Sequence, residues 1–424
     1  MTERRRKTLW QFPWLYRESM IFIAGLILVG YALQFSVGPF NFLLLRYPVN
    51  MIVAAVLVLL LIGGFFLRNN PFIVWLSGVP FAVTLLGAFL LLGLIMGLTP
   101  QDTLLPVQPD AQQASPPVWH ALGWARMTAS WPFVFIYFLL LLSLGLLVAR
   151  RLAHPQIAQW AFYCNHVGLW FVLLVAGLGY VDIGRYVMLV RKGEMQWSGK
   201  NHAQESVELP LEIRLNDFTI DFFPPKLVVI DRVTATPQPP SRPVFYQINP
   251  DAPDGRLPGW TVHVETYLEK AARNSSNTYS AWPMEGAVPA ALVTAHNSDN
   301  TQQRTGWVSS GNMSQFYMRL PLDENYSLAM AQPEPKRFAS DITVYTQDGQ
   351  TVDAVLEVNK PLEIGHWTIY QYSYDTRAGT MSAYSSIELV YDPWLYYVYA
   401  GFAVLALGCA GLIWTGRKKT EGGI

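Results

Sequence analysis

Ile157-Ala-Gln-Trp-Ala-Phe-Tyr-Cys-Asn-His-Val-Gly-Leu-Trp-Phe-Val-Leu-Leu-Val-Ala-Gly-Leu-Gly-Tyr180 runs for 24 residues without a charge. Crossing about 30 Å of hydrocarbon takes about 20 apolar residues in a helix, because an unpaired backbone group in lipid is costly. The stretch therefore reads as a membrane-spanning helix. The chain changes character right after it. Residues 181–394 are polar and alternate with period two in several places, the mark of half-buried strands. Together the two segments set the fold class: an α-helical integral membrane protein with a large β-rich domain inserted before its last helix.

Five more stretches qualify as spans, at 19–37, 50–67, 72–98, 131–149 and 395–415, which makes six. The first is diluted by Gly25, Gly30 and Gln34, and Pro39 follows it. The layout divides into an N-terminal part at 1–71, a three-helix part at 72–180, the β-rich domain at 181–394 and a last helix with a basic tail at 395–424. Composition agrees. Of the 424 residues 51% are hydrophobic and only 14% charged, against about 25% charged in an average soluble domain. A water-soluble enzyme is excluded. With 30 Lys+Arg against 30 Asp+Glu the chain has no net charge, so nothing points to nucleic acid. Cys164 and Cys409 lie far apart in apolar runs, which leaves no disulfide framework, no CxxC and no thiolate zinc site.

Short loops on the cytoplasmic side of a membrane protein carry the excess of Lys and Arg. With the N-terminus inside, the inside set is Arg4–Lys7 and Arg17, Arg68, Arg150–Arg151, then Arg417, Lys418 and Lys419. The short outside loops hold only Arg46 and Arg126. Both termini are expected in the cytoplasm and 181–394 outside, which for a bacterial inner membrane means the periplasm. No small-residue cleavage site follows the first apolar run, so a cleaved signal peptide is a poor reading.

Within the outer segment Leu209, Leu211, Ile213 and Leu215 alternate, and Phe218, Ile220 and Phe222 alternate on the other parity. The slip at Asn216–Asp217 predicts a bulge or tight bend. Asp348-Gly349 between Ile342–Tyr345 and Val352–Val358 predicts a hairpin with a primed turn. A second hairpin joins Trp367–Tyr374 to Ser385–Tyr391 around Arg377-Ala378-Gly379. The stretches 235–258 and 271–303, rich in Pro, Ser, Asn and Ala, read as loops.

Of seven histidines only His166 lies in a spanning run. It sits very roughly 15 Å deep by helical rise, where an ionisable side chain is by default a functional candidate. A neutral imidazole there can bind haem iron axially or relay protons. It can equally be packed, hydrogen-bonded to a neighbouring helix with help from Asn165. His120, His154, His202, His263, His296 and His366 show no metal-ligand spacing and read as surface or structural residues, with His120 near the outer membrane face an outside candidate. Cys164 is one turn or less from His166, but a buried apolar thiol is usually inert. Tyr370, Tyr372 and Tyr374 recur along one strand face, near Tyr391 and Trp394, and read as anchors or sheet core before they read as a groove for peptide or macrocycle. No nucleophile–base pair, carboxylate dyad or phosphate-cradling loop stands out, so no catalytic site is visible.

From about Phe72 onward the chain resembles the ResB (CcsB) proteins of the System II cytochrome c maturation machinery. The blocks are Gly97-Leu-Thr-Pro-Gln101, Trp131-Pro-Phe133 with Arg150-Arg151, Asn165-His166-Val-Gly-Leu with Arg191-Lys-Gly193-Glu194, and Leu209-Pro-Leu-Glu-Ile with Asn216-Asp-Phe-Thr-Ile-Asp-Phe222. Ser340-Asp-Ile-Thr-Val344, Val358-Asn-Lys-Pro-Leu362, Ile364-Gly-His-Trp-Thr-Ile-Tyr-Gln371 and Asp392-Pro393 follow in the family's order. The helices at 19–37 and 50–67 precede the usual family start, and His366 stands where an aromatic is common. Nothing matches the tryptophan-rich WGxxWxWD haem-handling signature of the partner half, so the chain looks like the ResB half alone.

The resemblance implies a subunit that works with a CcsA (ResC) partner. Together they bring haem, a transiently held b-type cargo, across the membrane and present it reduced to the CxxCH motif of apocytochromes c. Position for position, the intramembrane haem ligand of the family falls on His166, with the second axial ligand a histidine of the partner. Thiol-reducing proteins would supply reductant. The outer domain would have a non-catalytic role, covering the haem exit or guiding apocytochrome by strand addition. Three rivals stand beside this reading. A haem-holding membrane anchor of an oxidoreductase needs two or four intramembrane histidines. A non-haem scaffold with a ligand-binding outer domain leaves His166 merely packed. A secondary transporter should show duplicated helical halves, and none is seen.

Overall fold

The computed structural model describes residues 10–101, 118–284 and 286–421. The basic run Arg4–Lys7, the stretch 102–117 and the side chains of Arg417, Lys418 and Lys419 lie outside the described residues. The chain divides into two compact units, one of 1–185 with 390–424 and one of 186–389.

The first unit is helical. Its elements are α1 (Tyr16–Val37), α2 (Val49–Phe66), α3 (Pro71–Leu76), α4 (Val79–Leu98), α5 (Val118–Ala121), α6 (Trp131–Leu152), α7 (Trp160–Gly179) and α8 (Leu395–Glu421). Six of these, all but α3 and α5, are long and apolar enough to cross a membrane, as the sequence predicts. The expected single helix over 72–98 is instead two. Pro80 in the first turn of α4 cannot sit in a helix interior, where it would lose a hydrogen bond and clash. The chain therefore breaks at Ser77–Gly78, and Asn70 caps α3 by accepting from the Phe72 amide at 2.9 Å. The 20 residues left in α4 rise about 30 Å.

α6 is the hub of this unit, packed against α1, α2, α4 and α7. Ile23, Phe81, Leu85, Met127, Ile136 and Leu146 form one buried cluster, and Leu57, Leu141 and Leu174 another. The two N-terminal helices thus share the buried core of the later ones. α7 and α8 pack most closely, through small residues. An added Cβ on Gly168 would stand 2.6 Å from the Leu405 nitrogen, and one on Gly408 2.2 Å from the Asn165 nitrogen. Lipid offers no hydrophobic drive between helices, so close backbone approach and dispersion hold such pairs. Asp182, just past α7, ties the same end together. It accepts from the Tyr47 amide at 3.1 Å, Asn50 Nδ2 at 2.7 Å and Trp394 Nε1 at 2.9 Å.

The second unit is built on antiparallel sheets. An eight-stranded sheet is built from β1 (Gly184–Arg191), β2 (Met195–Lys200), β3 (Ser206–Phe222), β13 (Pro335–Thr346), β14 (Thr351–Glu357), β15 (Leu362–Ile364), β16 (Trp367–Tyr374) and β17 (Tyr384–Tyr391). Its strand order is β14-β13-β3-β2-β1-β17-β16-β15. A five-stranded sheet holds β6 (Asp254–Leu257), β7 (Trp260–Arg273), β8 (Tyr279–Ala281), β9 (Val288–Asn297) and β10 (Gln303–Ser309). A four-stranded one holds β4 (Lys226–Asp231), β5 (Phe245–Gln247), β11 (Leu320–Pro321) and β12 (Tyr326–Met330). Leu211, Ile213, Leu215, Ile342, Val344 and Ile369 fill the core of the large sheet, while Leu227, Val262, Val293, Val308 and Leu328 fill a core shared by the other two.

The bulge falls where the parity slips: Asp341 pairs with Asp217 and Ile342 with Leu215, which leaves Asn216 as the extra residue. Both hairpins form. The turn of the first differs from the expected two-residue type. Thr346 and Gln350 still bond across it, the Gly349 amide reaches back to the Thr346 carbonyl at 3.0 Å, and Gly349 has φ +83°. That is a three-residue loop with glycine at the left-handed position. The expected loops at 235–258 and 271–303 are overturned, since they hold β5, β6, the end of β7, β8, β9 and the start of β10. Alanine is a poor strand former, which hid Val288–Asn297. β9 is nonetheless the middle strand between β10 and β7, and Ala290, Ala291 and Ala295 are fully buried there.

Candidate functional site

His166 lies in the second turn of α7 and is half-buried. Its Nδ1 is 2.9 Å from the carbonyl oxygen of Phe162, one turn earlier. A carbonyl can only accept, so Nδ1 carries a proton, and in the neutral imidazole the lone pair is then on Nε2. Nε2 has no partner among the described residues. The imidazole stacks on the Phe162 ring, centroids 3.9 Å apart and planes 30° apart, and the Arg151 guanidinium lies 4.9 Å from that ring's centroid on its own account. Arg151, Phe162 and His166 therefore form a contact chain from the end of α6 to the second turn of α7. In its neutral form an imidazole in this tautomer, with one nitrogen anchored by backbone and the other free, is a σ-donor and a proton acceptor.

Asn165 Nδ2 donates to Cys409 Sγ at 3.0 Å, so Asn165 is bound to α8 and not to the imidazole. Cys164 is half-buried and unpaired. The remaining histidines are not brought together, and no group of three His, Cys, Asp or Glu side chains could hold a metal ion among the described residues. His120, His154, His202 and His366 are exposed. His263 is paired with Asp254 at 2.8 Å, and that carboxylate raises its pKa.

In the β-rich unit Tyr370 and Tyr372 are exposed, whereas Tyr374 packs against Phe218 and Phe338, centroids 5.3 and 5.2 Å away. Two of the motif blocks meet in a buried polar triad. Ser340 Oγ, fully buried, donates toward Gln371 Oε1 and lies 2.7 Å from Ser385 Oγ, to which Gln371 Nε2 donates at 3.0 Å. The triad links β13 to β16 and β17, so the large sheet curls on itself. Arg337 bridges Asp221 at 3.2 Å and Glu357 at 2.7 Å, and Lys360 also reaches Glu357 at 2.7 Å. Those two cations hold the Glu357 carboxyl down at about 2. Lys192 likewise lowers Asp217, at 2.8 Å.

The Phe162–His166 stack follows from an i, i+4 spacing that the sequence displays. Arg151, Asp182 and the Ser340–Gln371–Ser385 triad carried no such signal, because each depends on contacts across long sequence separations.

Fold and site together define a six-span membrane protein with a β-rich domain set before the last helix. Residues 288–387 match the ResB-like family, in line with the ResB (CcsB) resemblance of the motif blocks. The matched segment runs from β9 into β17 and contains the blocks at Ser340, Val358 and Ile364. It ties the chain to cytochrome c biogenesis in general. His166 lies outside it. No curated protein matches the chain.

Proposed function

We propose that this chain is the ResB-like subunit of a System II complex in a bacterial cytoplasmic membrane. With a CcsA/ResC-type partner it carries haem across the membrane and presents it for thioether attachment to the CxxCH motif of apocytochromes c. The observation that carries the reading is the state of His166: Nδ1–H bonded to the Phe162 carbonyl, Nε2 unpartnered, on a helix long enough to span lipid. His166 Nε2 binds the iron of the cargo haem on one side. The partner supplies the other axial histidine, since His166 is the one histidine in the spanning stretches of this sequence. Bis-imidazole ligation suits haem held in an apolar medium. Phe162 fixes the imidazole plane by stacking.

The Lys/Arg bias of the loops supports termini in the cytoplasm and the β-rich unit outside. There the exposed Tyr370 and Tyr372 offer a surface to the apocytochrome, and β14, the last strand of its sheet, offers an edge for strand addition.

The test is an absorption spectrum, oxidised and reduced, of the chain purified in detergent with its CcsA-like partner, beside His166→Ala and His166→Gly with added imidazole. The expected result is b-type bands in the wild type, weakened or shifted in His166→Ala and restored by imidazole in His166→Gly. A wild type without haem, or a His166→Ala spectrum identical to it, overturns the proposal.

A further inference from the structure

We propose that a groove between α2, α6 and α7 binds one anionic phospholipid, its acyl chain along the groove and its phosphate at Arg68 and Arg151. The groove has a volume of about 430 Å³ and an almost wholly apolar wall. It follows α2 from Val58 to Phe66 and α6 from Gly145 to Leu152. Eight helical steps rise about 12 Å and seven about 10 Å. Half of a hydrocarbon core about 30 Å thick is about 15 Å. The groove thus covers one leaflet, from near the middle of the spans to the ends that carry arginine. Trp170 forms its third wall, and the indole N–H is already donated to the Leu141 carbonyl at 3.0 Å. Nothing in that wall asks for a polar occupant.

Size argues for a lipid tail over a partner helix. A helix about 10 Å across fills roughly 400 Å³ per turn, so the groove would hold a single turn, whereas a methylene chain can run its length. Charge then selects the headgroup. The Arg68 guanidinium lies 5.7 Å over the ring of Phe65, a lining residue, and has no hydrogen bond or ion pair among the described residues. Arg151, next to Leu152, is exposed and uses one nitrogen on Gln159 at 3.1 Å. Arg150 is different, since it is engaged by Ser77 Oγ at 2.6 Å. α2 and α6 both end here, and their free carbonyls carry partial negative charge, so an anion depends on the two arginines.

The experiment uses the full chain in detergent, mixed with equal amounts of phosphatidylglycerol and phosphatidylcholine of the same acyl chains, and counts retained lipids by native mass spectrometry. Phosphatidylglycerol should be retained in preference, and Arg68→Gln with Arg151→Gln should cut the ratio about thirtyfold, as two near-surface arginines predict. Ala149→Phe, which fills the groove, should lower retention of both lipids. The ratio is internal to each sample, so loss of folded protein does not mimic the effect. Equal retention by the wild type overturns the proposal, and so does a double variant that keeps the preference. Efficient crosslinking of Phe66→Cys to another polypeptide in membranes, showing that protein fills the groove, also overturns it.

Discussion

Replacing Gly408 with alanine tests whether α7 and α8 are held by backbone contact. The new Cβ would lie 2.2 Å from the Asn165 nitrogen, 2.6 Å from its Cα and 2.8 Å from the Cys164 carbonyl carbon. Carbon contacts are optimal at about 3.5–4.0 Å, so the helices must part locally by about 1 Å or more. All three obstacles are backbone atoms, and no rotamer change can relieve them. Overpacking of this kind costs about 1–3 kcal/mol. Obstacles that are all backbone put this case at the upper end of that range, and alanine returns up to about 1 kcal/mol of helix propensity, which leaves a net loss of about 2 kcal/mol. Gly87→Ala in α4 is the control, because nothing lies within 4 Å of its Cβ position. There only the propensity gain acts, and stability should hold or rise slightly. The assay is unfolding of the purified chain in detergent by added dodecyl sulfate, followed by tryptophan fluorescence. A Gly408→Ala midpoint equal to that of wild type refutes the reasoning. Equal loss in Gly87→Ala refutes it too, by showing that the cost is not steric contact.

Gly349→Ala meets no atom within 4 Å but keeps φ at +83°, so left-handed strain alone should cost about 1–2 kcal/mol, with Gly349→Asn costing less in the same unfolding assay. Gln371→Leu leaves the buried hydroxyls of Ser340 and Ser385 without their amide and should cost about 1–3 kcal/mol, most of it recovered when both serines become alanine. Glu357 should titrate near 2, against an ordinary 4.5, when followed by NMR of the side-chain carboxyl. Its folded pKa is the lower one, so its stabilisation is complete above about 4.5 and fades as pH falls toward 2. Arg337→Gln should move the titration up toward the ordinary value and shrink that pH dependence.

How far the sequence discloses this fold depends on which faces a segment buries. In β3 one face is buried and one wet, so alternation shows, and even the bulge at Asn216 is visible as a change of parity. β9 is covered on both faces by its own domain, so its alanines give no period and read as a loop. The break before α4 was available in Pro80, but the apolar run on either side masked it. For the site, His166 is legible because a histidine in lipid is rare, whereas Phe162, one turn away, is one apolar residue among many in the span and carries no signal of its own. What fixes the tautomer is a carbonyl in the same helix, which a pattern of side chains does not reveal. Arg151 approaches Phe162 only because the chain turns back between α6 and α7.

The small-residue seam between α7 and α8 has a consequence in time. The two helices are separated in the chain by residues 180–394. At about 5–20 residues per second of synthesis, α7 waits on the order of 10–40 s before α8 exists. During that interval Gly168 and Asn165 have no partner, and α7 is an incomplete span. A chain cut short within the β-rich unit therefore leaves the Gly168 and Asn165 face of α7 uncovered.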